Sequence, residues 1–150
     1  MTARLHAAFG VVASLIVGFA VVWGFVLAGS PSTRRDQLID DRRLQDLQAI
    51  ARAIQTQVTD EGPYVPDGTK RKLKHSLPKT LDDVARNDRS ERLRLLDPES
   101  GEPYAYKVVN SKQYTLCATF NRPRDADLRV FWNHPAGEHC FTIDVLESVY

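Results

Sequence analysis

The sequence predicts an α+β protein, in which an N-terminal transmembrane helix precedes an amphipathic helix packed on a four-stranded antiparallel sheet. Three patterns support this prediction: an uncharged stretch at residues 7–29, a helical repeat of apolar residues after it, and alternating strand-like segments near the C-terminus. The chain has 150 residues, 43% of them hydrophobic and 26% charged. These proportions are typical of one globular unit with an appended segment.

Charge is distributed unevenly along the chain. Residues 1–35 contain three basic residues and no acid, whereas residues 36–150 contain 17 basic and 19 acidic residues. The larger part therefore has a net charge of about −2 and offers no electrostatic basis for binding nucleic acid.

The uncharged stretch extends from Ala7 to Gly29. As a helix it would be roughly 35 Å long, against about 30 Å for the hydrocarbon core of a bilayer. We therefore expect an uncleaved, single-pass anchor in the cytoplasmic membrane, with the lipid bilayer as a partner. A cleaved signal peptide is the alternative, although the apolar cores of signal peptides span only about 7 to 15 residues.

The two cysteines determine the expected orientation of this anchor. Strand alternation places Cys117 among threonines on the polar face of one segment, and Cys140 on the polar face of another. Neighbouring strands would bring them to disulfide distance, and a disulfide requires an oxidising compartment. We therefore expect the N-terminus inside and the domain in the periplasm or outside the cell. Two unpaired thiols in a cytosolic domain are the alternative.

The predicted organisation follows in order: a cytoplasmic N-terminus at residues 1–6, the transmembrane helix at 7–29, a linker at 30–35 and an extracytoplasmic domain at 36–150. Within the domain, an amphipathic helix is expected from Asp36 to Thr59 and a short helix from Thr80, a good capping residue, to Asn87. Four strands are expected at Tyr104–Val109, Gln113–Phe120, Leu128–Trp132 and Cys140–Leu146.

Several of these features together resemble a known architecture. A hydrophobic helix leads into an amphipathic one, Gly62 to Pro66 reads G-P-Y-V-P, and Asp97 to Tyr106 reads D-P-E-S-G-E-P-Y-A-Y before the sheet. This arrangement resembles type IV pilins and type II secretion pseudopilins. The chain lacks the processing motif of prepilins, because Gly10 is followed by V-V-A-S-L and no acidic residue occurs before Asp36.

The resemblance implies a non-enzymatic, membrane-anchored accessory or structural protein of the cell envelope, which associates with protein partners or with itself through its N-terminal helices. The residues themselves are consistent with a protein that is not an enzyme and needs no cofactor. The sequence has no phosphate-binding glycine loop, no Ser/His/Asp signature and no HExxH motif.

Binding sites remain as alternatives. An extracytoplasmic ligand- or metal-binding sensory domain would use a surface formed by Trp132, His134 and His139. Asp97, Glu99 and Glu102 offer oxygen ligands for calcium, but the spacing of an EF-hand is absent and a solvated turn is the simpler interpretation. The basic residues at 69–75 could contact lipid head groups or an acidic partner, although a solvated loop is expected.

Overall fold

The computed structural model describes residues 2–28, 31–60, 71–87, 93–124 and 131–147. The chain divides into two compact units, Met1–Asp36 and Gln37–Tyr150. The described residues form three helices, α1 (Thr2–Ala28), α2 (Pro31–Val58) and α3 (Leu81–Asn87), and three strands, β1 (Ala105–Val108), β2 (Gln113–Phe120) and β3 (Gly137–Asp144). The α+β class is therefore correct, whereas two of the predicted elements require correction.

The first correction concerns the N-terminal helix. Among the residues that the structure describes, no helix combines the length and the apolar character needed to cross a membrane. This finding contradicts both the transmembrane helix predicted from Ala7 to Gly29 and the single-pass location in the cytoplasmic membrane. Gly29 itself lies outside the described residues.

The second correction concerns the sheet, which has three strands in the described chain and not four. The strands are antiparallel in the order β1-β2-β3. In the predicted fourth strand, residues 128–130 lie outside the described residues, and Phe131 and Trp132 form a turn. Strand β2 has the predicted bounds, whereas β3 begins three residues before the predicted Cys140.

The hairpin between β1 and β2 has a local cause. The Asn110 side-chain oxygen accepts hydrogen bonds from the backbone N–H groups of Lys112 and Gln113, at 2.8 and 2.9 Å. The Asn110 oxygen thus takes the place of a backbone carbonyl as the acceptor for these two N–H groups in the turn. Before β1, Asp97 Oδ1 accepts the N–H groups of Glu99 and Ser100 in the same way. A positive φ of 72° at Gly101 completes that turn.

The amphipathic helix is confirmed and is longer than predicted. Helix α2 begins at Pro31, so most of the predicted linker at 30–35 is helical. Proline is well tolerated there, because the first turn of a helix has no acceptor for its missing N–H group. The short helix α3 is capped as expected, since Thr80 Oγ1 accepts the N–H of Asp83 and the Asp83 carboxylate accepts the N–H of Thr80.

The core of the second unit lies between α2 and the inner face of the sheet. The predicted apolar stripe of α2 is entirely buried, and it forms one cluster with the inward side chains of β2 and β3. The helix contributes Leu44, Leu47, Ile50, Ala51, Ile54 and Val58, and the two strands contribute Tyr114, Leu116, Ala118, Phe120, Phe141 and Ile143. This packing leaves the opposite face of the sheet as an outer surface.

Candidate functional site

The two cysteines lie directly opposite each other on that outer face. Cys117 of β2 pairs in register with Cys140 of β3, and a disulfide joins them across a Cα–Cα distance of 4.0 Å. The pairing predicted from strand alternation is therefore confirmed. Neither sulfur is available as a metal ligand or as a nucleophile while this bond is intact.

The predicted interaction surface of Trp132, His134 and His139 lies mainly inside the protein. Trp132 and His134 are buried and His139 is half-buried. Trp132 and His139 both contact the ring of Phe141, with centroid distances of 4.9 and 4.7 Å, whereas His134 stacks on Phe120 at 3.5 Å. Over the described ranges, no group of three or more His, Cys, Asp or Glu side chains is placed to hold a metal ion.

The most densely connected polar site is a set of side chains around Arg43, a residue that sequence reasoning did not single out. The Arg43 guanidinium donates to both carboxylate oxygens of Asp97, to Asp40 Oδ1 at 2.9 Å and to Glu99 Oε2 at 2.8 Å. Asp40 precedes Arg43 by one helical turn, which brings the two side chains together on α2. Arg43 thus connects α2 to the turn before β1.

The end of strand β2 joins the same network. Asp40 accepts hydrogen bonds from the backbone N–H groups of Asn121 and Arg122, each at 2.9 Å, and the Asn121 side chain donates to Glu99 at 3.0 Å. We call the set Asp40, Arg43, Asp97, Glu99 and Asn121 the Arg43 cluster. It holds three segments that are distant in sequence at one end of the sheet.

The charges of the Arg43 cluster stabilise one another. Burial alone would lower the pKa of Arg43, but hydrogen bonds to Asp97, Asp40 and Glu99 outweigh this effect and raise it. For Asp97, burial acts to raise the pKa, but Arg43 and two backbone N–H groups lower it to about 2. Hydrogen bonds from Asn121 and Arg43 lower the pKa of Glu99. These groups therefore keep their charges at neutral pH.

A second buried carboxylate lies on the next turn of α2. Asp46 accepts a hydrogen bond from the Tyr104 hydroxyl at 3.3 Å, and Arg94 approaches its other oxygen at 3.6 Å. Burial raises the pKa of Asp46, and burial followed by the charge of Asp46 raises that of Tyr104. The tyrosine belongs to the D-P-E-S-G-E-P-Y-A-Y block, so both ends of that block bind α2.

An open groove of about 510 Å³ lies beside the Arg43 cluster. It extends from the turn before β1 to the outer face of the sheet, and it is lined by Arg43, Asp97, Glu99, Glu102, Tyr104, Cys117 and Glu138 among others. Two of the three candidate calcium ligands, Asp97 and Glu99, already accept hydrogen bonds from Arg43, whereas Glu102 is exposed. The turn is thus held by a cation from the protein itself.

The basic segment is only partly described, because residues 69 and 70 lie outside the described ranges. Arg71 is buried, whereas Lys72, Lys74 and His75 are exposed. Leu73 forms a β-bridge with Thr59, which attaches this segment to the end of α2.

A pattern in the sequence could have revealed the Arg43 cluster. Steps of three and four residues backward from Leu47 reach Arg43, Leu44 and Asp40, so the buried stripe of α2 continues into charged residues. Charged residues on an apolar stripe are rarely buried without partners. The pattern therefore indicates buried charges at this end of α2, but it does not identify Asp97 as their partner.

No family model, no curated protein and no solved structure matches this chain. The resemblance to pilins and pseudopilins therefore stays a prediction from the sequence motifs.

Proposed function

We propose that this protein is a non-enzymatic structural or accessory subunit of the pseudopilin-like type, which self-associates through its N-terminal helix α1. The observation that carries the proposal is the exposed apolar surface of that helix. Ten large apolar side chains of α1 are each between 53% and 77% exposed, namely Phe9, Val11, Val12, Leu15, Ile16, Val17, Phe19, Val21, Val22 and Trp23.

These ten side chains lie close together along one helix, whereas the exposed apolar residues of ordinary protein surfaces are scattered. Contiguous apolar patches above a few hundred Å² mark interaction sites, because leaving them in water costs about 25 cal/mol per Å². The stretch also carries an aromatic ridge, since Phe19 and Trp23 stack one turn apart at 5.6 Å. A second helix is a suitable partner for such a surface, because ridges of side chains pack into the grooves of a neighbouring helix.

The second unit supports a structural role. The groups that could have supplied chemistry have structural partners: Cys117 is bonded to Cys140, Asp97 binds Arg43 and His134 stacks on Phe120. The disulfide joins β2 to β3, and the Arg43 cluster attaches α2 to the turn before β1 and to the end of β2. A subunit of an assembly needs a rigid domain of this kind, which presents the same surface in every copy.

The proposal is tested by measuring the association of the full chain. We expect sedimentation equilibrium of the wild type in mild detergent to show a concentration-dependent oligomer. Ile16→Glu, which places a charge on the exposed face of α1, should weaken that association at least about tenfold. Leu38→Glu is the matched control, because Leu38 is an equally exposed apolar residue on a different helix, at 70% against 64% for Ile16.

Three results would overturn the proposal. The first is a monomer at all concentrations, and the second is an oligomer that Ile16→Glu and Leu38→Glu affect equally. The third is insertion of monomeric chains into protein-free phosphatidylcholine vesicles, measured by flotation, because lipid and not a second copy would then cover α1.

A further inference from the structure

His134 occupies an unusual position for a titratable group. Its ring is buried and stacks almost parallel on Phe120, with an interplanar angle of 18° and centroids 3.5 Å apart. His134 also lines a cavity of about 280 Å³ between α2 and the residues that follow β2. A change in the charge of this ring would therefore act on the contact between those two segments.

The geometry of the ring determines where a proton must bind. His134 Nδ1 lies 3.1 Å from the carbonyl oxygen of Pro135, which can only accept a hydrogen bond. The neutral ring therefore carries its hydrogen on Nδ1, and a second proton must bind at Nε2. Protonation there would place a full positive charge on a ring that is only 5% exposed, and burying a charge is costly.

The charged groups around the ring do not compensate for such a proton. From α2, Asp40 attracts it, but both oxygens of Asp40 already accept hydrogen bonds within the Arg43 cluster. Asp41 also lines the cavity and lies 3.8 Å from Arg124. From the other described segments, Arg124 and His139 repel a proton, and Arg122 lines the same cavity.

Two effects of the surroundings oppose each other. A cation over the face of Phe120 is attracted by the ring electrons, and more strongly when it is desolvated. Burial of the ring opposes this attraction and lowers the pKa of His134 below its ordinary value. The protonated ring is therefore disfavoured while it is buried, and it is tolerated once a local opening exposes it to water.

Protonation of His134 can affect a neighbouring segment of the chain that is attached to it. Residues 121–124, which we call the 121–124 segment, are held on one side by the N–H groups of Asn121 and Arg122 on Asp40. On the other side they are held by the N–H of Arg124, which donates to the His134 carbonyl at 3.0 Å. Movement of His134 would break the second attachment and weaken the first.

We propose that His134 is a pH-sensitive latch, in which proton uptake at Nε2 releases the 121–124 segment from α2. The neutral ring keeps the segment closed at neutral pH. Below about pH 6.5, the ordinary pKa of histidine, the open form binds a proton more readily than the closed form, and the open population rises. At pH 5.5 this rise is limited to about tenfold, the ratio of charged to neutral histidine in the open form.

Amide hydrogen exchange on the full chain tests the latch. Opening equilibria for the N–H groups of Asn121, Arg122 and Arg124 should rise by up to about tenfold between pH 7.5 and pH 5.5, after correction for intrinsic exchange rates. The N–H of Val109, which donates to Gln113 in the distant hairpin, should not change. A parallel rise at Val109 would indicate global unfolding and would overturn the proposal.

Variants separate His134 from other titrating groups. His134→Gln keeps a hydrogen-bond donor, His134→Phe keeps the stacked ring, and either should abolish the pH dependence at the three amides. His75→Gln should retain it, because His75 is exposed on another segment. Equal pH dependence in the His134 variants would contradict the latch.

The wild type provides a test that needs no variant. Nitrogen chemical shifts of the His134 ring should show the Nδ1–H tautomer at neutral pH and proton uptake below the ordinary range for histidine. Uptake at or above that range, with unchanged exchange of the three amides, would overturn the proposal.

Discussion

The two ends of the buried face of α2 are stabilised in different ways. Toward the C-terminal end, Ile54 and Val58 are fully buried among apolar side chains, and the Gln55 amide adds a neutral hydrogen bond to the Val145 carbonyl. Toward the N-terminal end, Asp40, Arg43 and Asp46 are almost as deeply buried, at 6%, 4% and 5% exposure, but they contact charged and polar groups.

This difference implies that one end of α2 mainly stabilises its packing on the sheet, whereas the other end mainly fixes its position along the sheet. Apolar contacts are non-directional, so they stabilise the helix without strongly fixing its position along the sheet. The Arg43 fork binds Asp97 through two hydrogen bonds, and such a pair tolerates little displacement. We therefore expect the polar end to determine which turn of α2 faces the sheet, and to be sensitive to the loss of one partner.

The largest effect is expected for Arg43→Ala. Removing the guanidinium leaves the buried carboxylate of Asp40 and the partly buried carboxylate of Asp97 without their cation, which should lower the free energy of unfolding by about 3 to 5 kcal/mol. Urea denaturation measures this loss. Arg42→Ala, on the exposed face one residue earlier, is the control and should change stability by less than about 0.5 kcal/mol. Equal effects of the two variants would show that the cluster contributes nothing beyond surface charge.

At the apolar end, we expect Ile54→Ala to cost about 2 to 5 kcal/mol, because it removes buried methyl groups and leaves a cavity. The same denaturation experiment measures it. Combined with Arg43→Ala, the two losses should add to within about 0.5 kcal/mol, since the sites lie three helical turns apart. A larger deviation would mean that the two ends of α2 do not act independently.

The disulfide belongs to neither end, because it lies on the outer face of the sheet. Cys140→Ser should lower the free energy of unfolding by about 2 to 4 kcal/mol, chiefly through a less constrained unfolded chain. The double variant with Cys117→Ser should cost about the same, because one bond is lost in each case. Two thiols that label in native, non-reduced protein would contradict the bond itself.

The smallest expected effect is an acid dependence of the polar end. The pKa of Asp97 is about 2 in the folded protein and 3.8 ordinarily, so the unfolded chain binds a proton first as the pH falls. Roughly 2 kcal/mol of stability, fully present above about pH 4, should be lost as the pH falls toward 2. Asp46 acts in the opposite direction, because its pKa is raised and protonation relieves the cost of its burial.

Asp97→Asn isolates this dependence from that of the other carboxyl groups. Urea denaturation between pH 5 and pH 2.5 should show a flatter decline for Asp97→Asn than for the wild type. Asp82→Asn, at an exposed carboxyl of α3, should follow the wild type. If Asp97→Asn and the wild type decline in parallel, Asp97 is not the group that links stability to acid.

The sequence was most informative where the periodicity was strong. Alternation placed Cys117 and Cys140 on the same face of a sheet, and because the side-chain period of a strand is two, their pairing followed once the strands were neighbours. The buried stripe of α2 was read correctly for the same reason. Periodicity assigns faces well, since it depends only on local geometry.

The sequence was least informative where tertiary contacts decide. The burial of Arg43 depends on Asp97, which is 54 positions away, and no local pattern reports such a pairing. Trp132 resembled a strand residue because of its neighbours, but it lies in a turn and packs on Phe141. The apolar composition of α1 predicted a membrane span, which the described helix does not support.

The disulfide also has a topological consequence for the segment that it encloses. The bond between Cys117 and Cys140 closes a covalent ring that contains the 121–124 segment and His134. A single peptide-bond cleavage between the two cysteines would open the ring but would not divide the molecule. The two pieces would migrate together on a denaturing gel and would separate only after reduction. The part of the chain that carries the proposed latch can thus be cut once while β2 and β3 stay covalently joined.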